Sequence, residues 1–107
     1  MLFKQISATE LKEKLQNETN IKLIDVRERE EFAWAQIEGT ESLPLSEFQK
    51  WHDRLNPADE IIFICHHGVR SAQVCSVMAN NGFKKLWNLS GGIDAWSVDV
   101  DRNVPRY

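Results

Sequence analysis

The chain has 107 residues, 42% of them hydrophobic and 27% charged, with a net charge of −3. That length suits one globular domain, residues 1–107, around a single core, and the composition is ordinary for a soluble protein. Without a basic tract the chain is not expected to bind nucleic acid, and no apolar run is long enough to span a bilayer. The two cysteines do not suggest a disulfide framework, which fits a reduced, cytoplasmic setting. Met1 to Gln5 lacks the basic-then-apolar layout of a signal peptide.

Phe3 to Ile6 predicts a short strand. Ser7-Ala8-Thr9-Glu10 has the form of a capping box. Leu11 and Leu15 follow four residues apart, with Lys12, Glu13 and Lys14 off their stripe, which predicts a helix with a narrow buried face. Asn17 to Asn20 is polar and ends it. Ile21 to Val26 predicts a second strand with Asp25 near its end. Asp25 reads as structural, a carboxylate that pins a loop by accepting backbone N–H bonds. Arg27 has two readings: it attracts an anionic substrate, or it pairs with a neighbouring acid. Glu28 to Ala35 predicts a short charged helix whose acidic start suits the helix dipole, with Phe32 and Ala35 facing inward. Gln36 to Glu41 reads as a loop, and Ser42 to Pro44 as a short strand that Pro44 ends. Ser46 is placed to cap a helix over Glu47 to Leu55, with Phe48, Trp51 and Leu55 on one face. His52 reads as a surface residue, and Asn56 to Asp59 as a turn.

Ile61-Ile62-Phe63-Ile64 is the most apolar run of the chain. β-Branched and aromatic side chains of this kind fit a strand buried on both faces, the interior position of a parallel sheet. Cys65 ends the run, Gly68 and Arg70 follow, and Ser71 is a good cap for an apolar helix over Ala72 to Ala79. In open α/β sheets ligands bind at the carboxyl ends of the strands, which is where Cys65 falls. A cysteine acts as a nucleophile in its thiolate form. Loop amides and a helix N-terminus offer partial positive charge there, and Arg70 offers a full one. Gly68 permits a positive φ, so that the N–H groups from His66 through Val69 to Ser71 converge on an anion. The candidate site is therefore Cys65 as nucleophile, with His66, His67, Gly68, Val69, Arg70, Ser71 and Arg27 as anion-binding residues. His66 and His67 either hold the donor anion or move protons near neutral pH, or they are plain exposed loop residues. Adjacent residues in a tight loop point apart and lack the usual zinc spacing, so no metal is expected. No phosphate-loop or dinucleotide fingerprint is present, and no cofactor is expected.

Cys75 reads as a core residue; a redox partnership with Cys65 would have to bridge about 10–15 Å of helix. Asn80-Asn81-Gly82 is a helix stop. Lys85 to Leu89 predicts the last strand, and Ser90-Gly91-Gly92 a close turn before a short helix carrying Trp96. Asp99 to Tyr107 is polar and is expected to pack loosely. Together the elements predict an α/β fold, a central, mostly parallel sheet of about five strands with helices on both faces.

The segment Cys65-His66-His67-Gly68-Val69-Arg70-Ser71 resembles the active-site loop of the rhodanese (sulfurtransferase) family, Cys-x-x-Gly-x-Arg followed by Ser or Thr. Leu23-Ile24-Asp25-Val26-Arg27-Glu28 resembles the family's Asp-Val-Arg segment. Glu31-Phe32, Ile37-Glu38-Gly39 and Leu43-Pro44 resemble its Glu-Phe…His-Ile-x-Gly-Ala…Pro segment. Gly91-Gly92-Ile93-Asp94-Ala95-Trp96 resembles its Gly-Gly-x-x-x-Trp signature. The chain departs at Gln36, where His is usual, and at Thr40, where Ala is usual. The resemblance implies a rhodanese-like three-layer sandwich. It also implies transfer of the outer sulfur of a small anionic donor such as thiosulfate, through a persulfide on Cys65, to cyanide or a thiol. Two alternatives stand beside it. Cysteine-dependent phosphatases and arsenate reductases carry Cys-x5-Arg, whereas only four residues separate Cys65 from Arg70. Non-catalytic rhodanese-like binding modules usually lack the cysteine that this chain keeps.

Overall fold

The computed structural model describes residues 2–107; Met1, the first residue of the N-terminal stretch read above, lies outside the described residues. Five strands form one sheet: β1 (Lys4–Ile6), β2 (Ile21–Asp25), β3 (Thr40–Ser42), β4 (Glu60–Ile64) and β5 (Leu86–Leu89). Their order is β1-β5-β4-β2-β3, and every pairing is parallel. The helices between and after them are α1 (Ala8–Asn17), α2 (Arg29–Trp34), α3 (Phe48–Trp51), α4 (Val69–Asn80) and α5 (Gly92–Asp99).

β4 lies in the sheet interior, as its apolar run requires. It pairs with β2 from Ile21↔Glu60 to Asp25↔Ile64, and with β5 from Ile61↔Leu86 to Phe63↔Asn88. Ile61, Ile62, Phe63 and Ile64 are all 0% exposed. Successive side chains point to opposite faces. Ile62 and Ile64 pack into one core with Leu11, Ile93 and Trp96. Ile61, Phe63 and Cys65 pack into the other with Trp51, Val74, Cys75 and Met78. Thus α1 and α5 cover one face, and α3 and α4 the other. The capping box at Ser7 forms as read: Glu10 N–H donates to Ser7 Oγ (3.2 Å), and Ser7 N–H to Glu10 Oε1 (2.9 Å).

Four local expectations are corrected. β3 begins at Thr40, two residues early, because the Gly39 turn (φ +86°) closes through Thr40 N–H to the Ile37 carbonyl at 3.2 Å. The helix expected over Glu47–Leu55 shrinks to a 3-10 turn, Leu45–Glu47, and the single turn of α3. Ser46 does not cap it, since its hydroxyl donates to Glu28 Oε1 (2.5 Å). α4 begins at Val69 with Gly68 as its N-cap, so Ser71 lies inside the helix and not at its cap. Residues 99–107 are not loose throughout. Val100 and Asp101 N–H groups both donate to the Trp96 carbonyl (2.9 Å each), Val104 is buried in the α1/α5 core, and Tyr107 packs on the loop after β4.

Candidate active site

The loop between β4 and α4 is held by α5. Ile93 N–H donates to the Cys65 carbonyl (2.9 Å) and Asp94 N–H to the His66 carbonyl (3.1 Å). Amides of a first helical turn have no intrahelical acceptor, so the start of α5 is free to clamp the loop. Gly92 makes the approach possible: its φ is +60°, and a Cβ there would lie 2.3 Å from the His66 carbonyl oxygen and 2.5 Å from that of Cys65. Gly68 adopts the left-handed conformation (φ +98°) that its place in the loop called for.

Cys65 is 1% exposed; its sulfur accepts from Gly68 N–H (3.0 Å) and lies 3.2 Å from Ser71 Oγ, whose one hydrogen can go either to the sulfur or to Asn88 Oδ1. The first i→i−4 bond of α4 runs from Ala72 N–H to the Gly68 carbonyl (3.3 Å). The amides of Val69, Arg70 and Ser71 therefore have no intrahelical acceptor. The Val69 side chain is 68% exposed, so this residue brings only its amide to the loop.

The two arginines of the expected site separate. Arg70 pairs bidentately with Glu31, Nη1 to Oε1 at 2.6 Å and Nη2 to Oε2 at 2.9 Å. This pairing, foremost, holds the Glu31 carboxyl down at about 2. It also raises Arg70, with Cys65 a smaller contributor. Arg27 is 0% exposed. Its Nε donates to both Asp25 oxygens, Nη2 to Asp25 Oδ2 (2.6 Å) and the Ala35 carbonyl, and Nη1 to the Glu31 carbonyl (3.1 Å) and Tyr107 Oη (2.8 Å). All five guanidinium hydrogens are thus engaged. Of the two readings of Arg27, pairing with a neighbouring acid is the one its surroundings fit, and no donor is left for a ligand. Asp25 also accepts the Arg27 N–H (3.0 Å), the loop-pinning bond expected of it.

His66 is stacked between His67 (centroids 3.9 Å apart) and Tyr107 (4.0 Å, planes 10° apart). Burial, and then the neighbouring His67, push His66 below the usual histidine range. His67 is exposed, with Nε2 3.9 Å from Asp94 Oδ2. The potential ligand atoms of His66, His67 and Asp94 lie within 4.8 Å of one another. Both Asp94 oxygens, however, accept from Arg106 (2.9 and 3.2 Å). Cys75 is buried in the α3/α4 core, and burial pushes its thiol up to about 12, so it is a poor nucleophile. Gln36 and Thr40 bond locally, Gln36 Nε2 to the Phe32 carbonyl (3.3 Å) and Thr40 Oγ1 to that of Ile37 (2.7 Å).

Sequence reasoning missed Glu31, Asn88 and Tyr107. Glu31 carries a signal in its position three residues after Glu28, whose N–H it accepts (3.1 Å). Asn88 carries one too: an asparagine within the apolar strand Leu86–Leu89 needs buried partners, and it has three. Its Oδ1 accepts from Ser71 Oγ (2.5 Å), while Nδ2 donates to Gln5 Oε1 (2.9 Å) and to the Gly68 carbonyl (3.0 Å). Tyr107 carries none, because nothing local ties it to a loop so distant in sequence.

A parallel α/β sheet with a cysteine cradled between an interior strand and the following helix is the architecture of the rhodanese-like domains. The chain belongs to that family, whose model, the rhodanese-like domain, matches residues 7–99. It is similar to the putative sulfurtransferase YtwF of Bacillus subtilis (strain 168), 38% identical over 100 residues, covering 94% of this chain and 96% of that protein. It is also similar to the putative sulfur carrier protein YrkF of the same organism, 39% identical over 93 residues and 87% of this chain. The chain spans 50% of the length of YrkF. The crystal structure of a rhodanese-like domain protein from Staphylococcus aureus matches with a TM-score of 0.83 and 30% identity, covering 97% of this chain and 98% of that one. Among the described residues no helix is long and apolar enough to cross a membrane.

Proposed function

We propose that the chain is a sulfurtransferase that carries a sulfane sulfur as a persulfide on Cys65. The observation that carries this reading is the placing of two donors at Cys65 Sγ, Gly68 N–H at 3.0 Å and the Ser71 hydroxyl within reach at 3.2 Å, which suits a sulfur anion at the helix N-terminus. The Cys65 thiolate attacks the outer sulfur of thiosulfate; the new S–S bond forms as the donor's S–S bond breaks and sulfite leaves with the electron pair. Cyanide or a thiol then attacks the terminal sulfur, and the electrons of the breaking bond return to Cys65. This is covalent catalysis in two half-reactions, with ping-pong kinetics expected. The amides of Val69, Arg70 and Ser71 supply the terminal sulfur with donors. Arg70, tied to Glu31, supports the loop and adds positive charge at its rim.

The similarity to proteins named for sulfurtransfer and sulfur carriage supports the reading, as does the short loop. A phosphorylated cysteine would bring three oxygens and more charge, and would need more donors than four intervening residues offer. The test is thiocyanate formation from thiosulfate and cyanide. Parallel double-reciprocal lines are expected, with loss of turnover in Cys65→Ser. Cys65-dependent hydrolysis of an aryl phosphate without thiocyanate would favour the phosphatase chemistry. Neither activity, with Cys65 still open to alkylation, would leave a binding module.

A further inference from the structure

Both donors that face Cys65 Sγ, Gly68 N–H and the Ser71 hydroxyl, lead to one residue outside the loop. Asn88, on β5, is 2% exposed. Its Nδ2 donates to the carbonyl of Gly68, so it holds the residue whose own N–H is aimed at the sulfur. Its Oδ1 accepts from Ser71 Oγ, the same hydroxyl that lies 3.2 Å from Sγ. The amide orientation is fixed, because the Gly68 carbonyl only accepts; Nδ2 must face it, which turns Oδ1 to Ser71. Gln5 on β1 receives the second Nδ2 hydrogen. A hydroxyl has a single hydrogen, and Ser71 cannot give it to Sγ and Oδ1 at once.

We propose that Asn88 is a positioning residue for Cys65, setting the sulfur's hydrogen bonds through Ser71 and Gly68 and exchanging one of them as sulfur is loaded. The proposal rests on the persulfide reading and deepens it. In the thiolate, Sγ holds the charge and draws the Ser71 hydrogen. After attack on the sulfane sulfur and departure of sulfite, the charge lies on the terminal sulfur. Sγ is then a weak, thioether-like acceptor. The Ser71 hydrogen turns to Asn88 Oδ1, so Asn88 stabilises the loaded state over the empty one. Its hold on Gly68 is common to both states.

The experiment is a cycle of Asn88→Leu, Ser71→Ala and the double variant, with the persulfide-to-thiol ratio read by intact mass at a fixed thiosulfate-to-sulfite ratio. Asn88→Leu is expected to lower that ratio roughly five- to tenfold, the worth of about one hydrogen bond. In the Ser71→Ala background the loss is expected to shrink to less than about twofold, since no hydrogen remains to exchange. An equal loss with and without Ser71 is what a merely structural asparagine gives, and it would overturn the proposal. Should Asn88→Leu not fold, Gln5→Leu frees the same amide from the exposed edge of β1. A Ser71-dependent fall of about twofold is then expected, and an unchanged ratio overturns. If the wild-type chain takes up no sulfur at all, the persulfide reading fails. The positioning role is then decided by iodoacetamide alkylation rates across the same cycle: non-additive effects support it, and additive effects overturn it.

Discussion

The charge that the sequence places beside Cys65 is largely committed elsewhere. Arg70 is legible as a cation in the loop, but its partner Glu31 lies on α2, and no local pattern links the two. Glu31 accepts from Arg70, from Glu28 N–H and from the Tyr107 hydroxyl (2.9 Å), joining three parts of the chain at one carboxylate. This makes an acid-stability prediction. Folding lowers the Glu31 pKa from 4.5 to about 2, so the folded state binds its proton less readily than the unfolded one. The stability it contributes is whole above about pH 4.5 and is lost as pH falls through the folded value. Urea midpoints of wild type should therefore decline more steeply between those limits than those of Glu31→Gln. Parallel declines would show that the carboxylate gains nothing from its partners. Asp25 reads correctly as a loop-pinning carboxylate, whereas Arg27, placed among the anion-binding residues, is corrected: it is buried and its guanidinium is spent on Asp25, two backbone carbonyls and Tyr107.

At the scale of elements, the strands were the most legible part. A four-residue apolar run has few places to go besides a sheet interior, and β4 occupies one. The helices were less legible, because short ones are set by tertiary partners and not by propensity. Ser46, read as a cap, bonds Glu28 instead, and the 3-10 turn starts after Pro44. The start of α4 follows from Gly68, whose left-handed backbone caps the helix so that it begins at Val69, three residues before Ala72. The junction between the β4 loop and α5 gives the sharpest test. Gly39 and Gly92 both have positive φ, but a Cβ at Gly39 meets nothing within 4 Å, whereas one at Gly92 meets two loop carbonyls. Gly39→Ala should cost about 1–2 kcal/mol from the backbone conformation alone. Gly92→Ala should cost about 3 kcal/mol or more, since the loop must also move, and should reduce sulfur uptake in whatever fraction folds. Equal losses in urea titration would mean that α5 does not set the position of the loop.

Across the whole molecule, the site is assembled from segments far apart in sequence. The sheet order brings β5 beside β4, and with it Asn88 beneath the loop, while residues 101–107 cross to lay Tyr107 on His66. That long-range contact was the least legible feature, since a polar stretch with one buried valine gives no sign of where it docks. Tyr107 stacks on His66, and burial is the largest cause of the lowered His66 pKa. In Tyr107→Ala the His66 titration followed by NMR should move upward, toward 6.5; an unmoved midpoint would mean that the stack does not shield the imidazole. All these parts converge on one sulfur atom, and its chemistry can be measured directly. Intact mass spectrometry after incubation with thiosulfate should show a gain of one sulfur atom per chain. Cyanide should remove the gain, and Cys65→Ser, nearly isosteric and still folded, should never acquire it. A gain that persists in Cys65→Ser, or none in a folded wild-type chain whose Cys65 still alkylates, would contradict the account.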